Sequence, residues 1–582
     1  MTGPDYFVLM LYAVGLFVIS TVSSKRNVNQ KEMFSANRSS PWWASGLSGF
    51  MTVFSAATFV VWGGIAYEQG IVAVAINTCY GIAAMGVGYF VAGRWNKMGL
   101  STPAEYVQVR FGNLGLHFFT WTMLIKRILG VAVSLYAVAK IVVAIDPVNL
   151  FGLSPLNTMI ILFGVIIVLY TMQGGLWAVL MTDVLQFIVL TVVVMITAFI
   201  MLSDIGSFSA FAETVPADFF SPTADKYGWL FLTGWVIINF FVIGVEWAFV
   251  QRYLSVKSPK DARKGTYLFA VMYLITPLFW LLPPLLYRGQ VEGLDKEQAY
   301  ILAAQATLPP GIMGLMVAAM FSATASMVSS QLNVIAGVLT NDFYKAFFRP
   351  NASEKNLVFT GRVFTVILGT ALTICALCVP YMGGATKVIL SINSLLVVPL
   401  FAPTLWGVFS HKIGIKQMAI VVGISFSIGF TLMFGIAQNP LITEESSLYG
   451  FAQYLLKNKT NVEVIIGVLM PLVILTFMEF TLKKTDPRSL DIDKMIEREA
   501  QEIEEVQNHK RPFDILPALM VMWSLFIIGS WLIFISLREA QGKTIIMTTG
   551  IILVISGVIV KIVANKLQKA SDLEQTKPQS EL

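Results

Sequence analysis

Gly174-Gly175-Leu176-Trp177-Ala178-Val179-Leu180-Met181-Thr182-Asp183-Val184-Leu185-Gln186 sets a carboxylate and two polar side chains at the mouth of a long apolar run, residues 187–201. A glycine pair permits a sharp turn, and the run behind it is long enough to cross a bilayer. A charged group inside such a segment is costly, so as a rule it is paired, solvated or functional. The stretch therefore predicts a membrane helix that carries a working carboxylate near its start.

Composition extends that reading to the whole chain. Hydrophobic residues make up 56% and charged residues 13%, with a mean hydropathy of +0.72. Soluble domains carry about twice that charged fraction, so the chain is expected to be an all-α polytopic membrane protein. The formal net charge of +6 comes mainly from lysines and arginines in short loops. That pattern speaks for orientation in a membrane and against nucleic-acid binding. Cys79, Cys375 and Cys378 all fall in apolar segments, and Cys375 and Cys378 form a C-x-x-C with no second ligand pair. Packing is their expected role. The first apolar segment begins at Tyr6 with no basic residue before it, which reads as a retained span and not a signal peptide.

A window of about 20 residues, the length that spans a bilayer, gives fifteen spans. They lie near 5–22, 43–68, 71–93, 115–144, 156–173, 176–203, 227–254, 264–286, 311–340, 357–380, 385–410, 413–436, 462–482, 513–537 and 544–565. Loop charge orients them. Lys25, Arg26, Lys31 and Arg38 fall on the same side as Arg94, Lys97 and Arg110. Arg252, Lys257, Lys260, Arg263 and Lys264 join them, as do Lys345, Arg349, Lys355 and Arg362. The opposite loops 146–155 and 203–228 hold only Lys226. Positive loops stay cytoplasmic, so the expected topology is multi-pass in the plasma membrane, N-terminus outside and C-terminus inside.

Residues 1–40 form the first span and its loop, 41–410 a transport core, 411–482 accessory spans, 483–512 a polar insertion, and 513–582 the last spans and tail. Within the insertion, residues 492–506 alternate Glu and Lys with apolar residues at helical spacing, which predicts a cytoplasmic amphipathic helix in a solvated linker. The core splits into two groups of five spans, about 43–203 and 227–410, which begin on opposite sides of the membrane. Carriers built from such inverted halves bind solute and ion at the midplane, where the first helix of each half unwinds.

Both candidate helices have irregular centres. The first contains Phe50-Met51-Thr52-Val53-Phe54-Ser55-Ala56-Ala57-Thr58-Phe59 and then Trp62-Gly63-Gly64, where small and hydroxylated residues suit an unwound turn. Ser55 and Thr58 fit helix packing equally well. In the second, Glu246 sits well inside an apolar span beside Trp247, and an unpaired buried carboxylate points to function. The ninth span places Ser326, Ser329, Ser330 and Asn333 at i, i+3, i+4 and i+7, one polar stripe on an apolar helix. Hydroxyl and carboxylate oxygens suit a hard cation, so with Asp183 the stripe favours an ion site over simple interhelical adhesion.

The Gly174 to Gln186 stretch resembles a signature of the sodium/solute symporter family, which includes sodium-coupled sugar, proline and sialic acid carriers. Gly99-Leu100-Ser101-Thr102-Pro103-Ala104-Glu105-Tyr106 with Arg110-Phe111-Gly112 adds to the resemblance, as does Gln251-Arg252-Tyr253-Leu254 leading to Lys257-Ser258. So does the serine stripe ending in Asn341-Asp342-Phe343-Tyr344-Lys345. The similarity covers about residues 5–480. It implies a LeuT-like core of two inverted five-helix halves, one preceding helix and about four following ones, and transport driven by sodium. By position, the shared sodium site of the family would use main-chain carbonyls of Met51, Phe54 and Ala323 with side chains at 326 and 327. Ser326 fits; Met327 does not, because a thioether is a poor ligand for a hard cation. A second site found in some members would use Asp183, Ser326, Ser329 and Ser330, all present.

Solute contacts carried over in the same way fall on Thr58, Asn77, Tyr80 and Tyr273, with Glu246 near another. Asn77, Tyr80, Glu246 and Trp247 suit a hydroxylated solute by hydrogen bonding and stacking. The extra C-terminal spans lean towards the sugar-type branch, hence towards a sugar or polyol. The expected partners are that solute, sodium and membrane lipid, with no nucleic acid, in a monomer or weak oligomer. Three alternatives stand beside sodium symport. One is a proton-coupled carrier working through Asp183 or Glu246, and another is a membrane sensor. The third is an enzyme, disfavoured because His117, His411 and His509 are dispersed and no nucleophile–base motif occurs.

Overall fold

Hydrocarbon offers the backbone no hydrogen-bonding partner, so a spanning chain must satisfy its amides internally, in helices or in a closed barrel, and long apolar runs favour helices. A computed structural model shows how. It describes residues 1–24, 38, 40–100, 102–149, 152–171, 176–205, 208–349, 351–439, 441–506, 516–538 and 542–576. Gly174, Gly175, Ser101, His509 and the loop cations Lys25, Arg26 and Lys31 lie outside these residues.

Among the described residues eleven helices are long and apolar enough to cross a membrane. The pair Trp229–Val245 and Trp247–Leu254, bent by 53°, makes a twelfth. The shorter apolar helices Gly3–Ile19 and Pro155–Leu169 and the interrupted segment 42–69 occupy the remaining expected spans. The elements that build the site are α1 (Gly3–Ser24), α2 (Trp42–Thr52), α3 (Gly63–Gln69), α4 (Val72–Phe90), α5 (Pro103–Ile145) and α6 (Leu176–Asp204). They are joined by α7 (Trp229–Val245), α8 (Trp247–Leu254), α9 (Pro259–Trp280), α10 (Ile312–Val338) and the later helix α11 (Ser489–Val506).

Local chemistry fixes several of these boundaries. Thr102 caps α5 by accepting from the Glu105 amide at 3.2 Å, with Pro103 in the first turn, and Ser258 caps α9 through the Asp261 amide in the same way. Asp5 on α1 accepts from the amides of Gly311 and Gly314 at 2.7 and 2.9 Å, a carboxylate placed at the N-terminus of α10. With the contact of Tyr12 and Ser322 at 3.1 Å, it joins the first span to the core. α5 begins twelve residues before the expected span and turns at Gly112, whose φ of 74° only glycine adopts readily.

Two cations expected in cytoplasmic loops are instead buried. Arg252 is 3% exposed and belongs to the site described below, whereas Arg110 is fully enclosed. Arg110 donates to the carbonyls of Gly407, Ser410 and Ile413 and lies 3.6 Å from Asp486 in the polar insertion. The reason is that the turn after Trp406 leaves carbonyls that need donors, and a guanidinium reaches all three. The insertion is thus not a freely solvated linker: α11 follows directly, with Ser489 and Ile492 buried. Arg110→Met is expected to cost a few kcal/mol, because it leaves three carbonyls unsatisfied. Limited proteolysis should then cut between 407 and 489 faster than in the parent.

At the other end of the core, three consecutive side chains bridge two helices. Asp295 pairs with Lys140 of α5 at 2.8 Å, Lys296 with Glu68 of α3 at 2.8 Å, and Glu297 accepts from Tyr136 at 2.6 Å.

Candidate ion and solute site

The first interrupted span breaks where its small and hydroxylated residues stand. α2 ends at Thr52, residues Val53, Phe54 and Ser55 leave the helical path, and a π-helical turn at Thr58–Trp62 leads into α3. Side chains satisfy the freed amides. Thr58 accepts from the Ser55 amide at 3.3 Å, Ser55 from Ala57 at 3.3 Å, and Thr324 of α10 from Ala56 at 2.8 Å. Ser55 also meets Ser134 of α5 at 3.2 Å. Thr58 is therefore a backbone cap at the break, and Thr324 and Ser134 are partners that the sequence pattern did not single out.

Asp183 lies 3% exposed in the second turn of α6, with its two oxygens divided between neighbours. Oδ2 accepts from Ser48 of α2 at 2.6 Å and faces Arg252 Nη2 of α8 at 3.8 Å. Ser48 in turn accepts from Arg252 Nε at 3.1 Å, so one hydroxyl links carboxylate to guanidinium. Oδ1 accepts from Ser326 of α10 at 3.1 Å. A small pocket opens there, lined by Met51, Asp183, Arg252, Ser326, Met327 and Ser330 among others. Ser330 Oγ is buried with no hydrogen-bond partner. Ser329 does not line the pocket; its hydroxyl donates to the Ser326 carbonyl of its own helix at 3.0 Å. Phe54 and Ala323 are buried outside that lining. Members of both sets carried over from the resemblance thus meet at one pocket, with Ser326 common to them.

The residues proposed for the solute separate into two groups. Tyr80 and Tyr273 stack at 5.1 Å, within a buried set of rings that includes Trp62, Trp235 and Phe50. Asn77, on the same α4 as Tyr80, donates to the Ala73 carbonyl at 2.9 Å. Glu246 and Trp247 stand elsewhere, at the second break: Glu246 has ψ of 125°, and α7 stops there and α8 starts beyond it. Among the described residues no ring contact or hydrogen bond joins the two groups.

Glu246 is not unpaired, and this corrects the expectation. Lys126 donates to Oε2 at 2.7 Å, and Arg127 Nη2 stands 2.5 Å from Oε1. Arg127 also lies over the Trp247 ring at 5.3 Å and Lys126 over Phe401 at 5.4 Å. Two adjacent cations in the middle of an apolar span were the available signal, since such residues are rare within hydrocarbon and need partners.

Two interrupted helices set among packed spans, with a carboxylate and hydroxyls beside the first break, define a secondary carrier. The sodium:solute symporter family matches residues 33–423, and the chain belongs to that family. Membership makes sodium the coupling ion and a small molecule the cotransported solute. The chain is 28% identical over 471 residues to the sodium/glucose cotransporter of Vibrio parahaemolyticus, covering 73% of this chain and 83% of that protein. It is 26% identical over 450 residues to a sodium/sialic acid symporter of Proteus mirabilis (strain HI4320), covering 73% and 88%. A solved structure of a Na+-coupled sialic acid symporter in a substrate-bound outward-open state superposes with a TM-score of 0.63 at 23% identity. That match covers 81% of this chain and 98% of the other. The fold is therefore the LeuT-like one of two inverted halves.

Proposed function

We propose that the chain imports a small hydroxylated solute across the plasma membrane by alternating access, N-terminus outside and C-terminus inside. One sodium ion would be held between Asp183, Ser326 and Ser330. The observation that carries this is the Ser330 hydroxyl, buried without a partner in the pocket that Asp183 and Ser326 line. A hard cation there gains three oxygens and satisfies the one that is idle. Thr58, Asn77, Tyr80 and Tyr273, with Glu246 and Trp247, remain the proposed solute contacts. Relatives named for glucose and for sialic acid support a hydroxylated solute, sugar or polyol.

The test is thermal unfolding of the purified protein titrated with sodium, against potassium and choline. Saturable stabilisation by sodium alone is the expected result. If no sodium-specific stabilisation appears, the site between Asp183, Ser326 and Ser330 fails. Met327 sets a thioether, a poor ligand for a hard cation, in the same pocket. Met327→Ser should accordingly tighten sodium binding several-fold, since it adds one hard oxygen to the pocket. An unchanged half-saturation in that variant would show that position 327 is not a ligand position.

A further inference from the structure

At the second break, two cations share one carboxylate. Lys126 and Arg127 both pair with Glu246, and among the described residues no other carboxylate lies within ion-pairing distance of either. The cluster therefore carries a formal charge of +1 in a span. Arg127 is 3% exposed, and its Nε and Nη1 are buried with no hydrogen-bond partner. The faces of Trp247 and Phe401 stabilise the two cations partly. They accept no directed hydrogen bond from Arg127 Nε or Nη1. Idle donors on a buried guanidinium are costly, and so is uncompensated charge. One monovalent anion removes both deficits at once.

We infer that the Lys126–Arg127–Glu246 cluster is an anion site, which takes either the carboxylate of the transported solute or a free halide such as chloride. The inference rests on the symport reading above and deepens it by naming an acid group, or a co-bound anion, at the second break. Its place in the fold suits a solute that reaches both breaks. Arg127 and Ser134 lie two turns apart on α5, about 10 Å along the axis, and Ser134 meets Ser55 at the first break. Lys126, with its side chain 15% exposed, gives the cluster its accessible edge.

The experiment uses the full-length protein in detergent, in a sodium buffer whose counter-anion is the bulky 2-(N-morpholino)ethanesulfonate. Thermal unfolding is titrated with chloride, acetate and D-glucuronate, and with D-glucose as the neutral control. The expected result is saturable stabilisation by carboxylates that glucose does not reproduce. Arg127→Gln should raise the half-saturating concentration about ten-fold, the equivalent of one charge-assisted hydrogen bond. Lys126→Gln, a second variant should the first not fold, should raise it in the same direction. Glu246→Gln should lower it, because removal of the competing carboxylate frees both cations. Stabilisation by chloride alone, with the same order of variants, assigns the site to a free halide. If no anion stabilises either the parent or Glu246→Gln, the inference is overturned and the cluster is a structural triad. Sodium-specific stabilisation in the same samples separates the failures. Where it persists without an anion effect only the anion site falls; where it too is absent, the sodium reading falls as well.

Discussion

Asp183→Asn raises the sodium concentration for half-maximal stabilisation at least about ten-fold, since losing a charged ligand removes about 1.5–3 kcal/mol. The substitution is nearly isosteric, and an amide oxygen remains to accept from Ser48 or Ser326, so what changes is the charge that a cation feels. Arg252 complicates the baseline. It stands 3.8 Å from Asp183 Oδ2 and is buried, so the variant leaves a guanidinium without its counter-charge and the protein melts lower even without sodium. The readout is therefore the sodium-dependent increment and its half-saturation, not the melting temperature itself. Ser330→Ala gives the graded control. It deletes one neutral oxygen whose hydroxyl has no other partner, so it should weaken sodium binding only several-fold and leave the baseline in place. An unchanged sodium half-saturation in Asp183→Asn would remove this carboxylate from the ion site.

What was legible in the sequence, and what was not, divides along a physical line. Hydrophobic runs and their breaks are local, so all fifteen expected spans have a counterpart, and both interrupted helices break at the residues that looked irregular. Asp183 and Ser326 were equally legible, because a carboxylate in a span and a hydroxyl at helical spacing stand out against their own neighbours. Partners were not. Ser48, Thr324 and Ser134 are hydroxyls that their local pattern does not set apart, and only the fold brings them to a carboxylate, to a freed amide or to another hydroxyl at the break. Arg110 and Arg252 sit at the ends of spans, where a cation is normally a loop charge, and only packing shows that each is enclosed. Ser329 shows the converse. Its spacing matched the stripe, yet a serine can return its hydroxyl to the preceding turn, and this one does.

Glu246→Leu should cost about 3–5 kcal/mol of stability, the usual penalty for removing one partner of a buried ion pair. Lys126 and Arg127 would remain in the span with no counter-charge, and the loss should show as a lower midpoint in thermal or denaturant unfolding in detergent. Replacing all three together (Lys126→Met, Arg127→Met, Glu246→Leu) should recover most of that loss, because no orphaned charge then remains. A second effect follows from α8. This eight-residue helix begins at Trp247, directly after the Glu246 pairs, and carries Arg252 in its last turn against Ser48 and Asp183. Loosening its start should therefore shift the guanidinium that holds Asp183 Oδ2, and raise the sodium half-saturation although Glu246 does not line the ion pocket. Coupling between two sites is reciprocal. An anion that restores charge balance at the second break should then tighten sodium binding in the parent by the factor that sodium tightens the anion. If Glu246→Leu lowers stability while the sodium half-saturation stays at the parent value, α8 is not the link between the breaks. The two sites would then have to communicate through α5 and α10, which connect Ser134 and Thr324 to the first break.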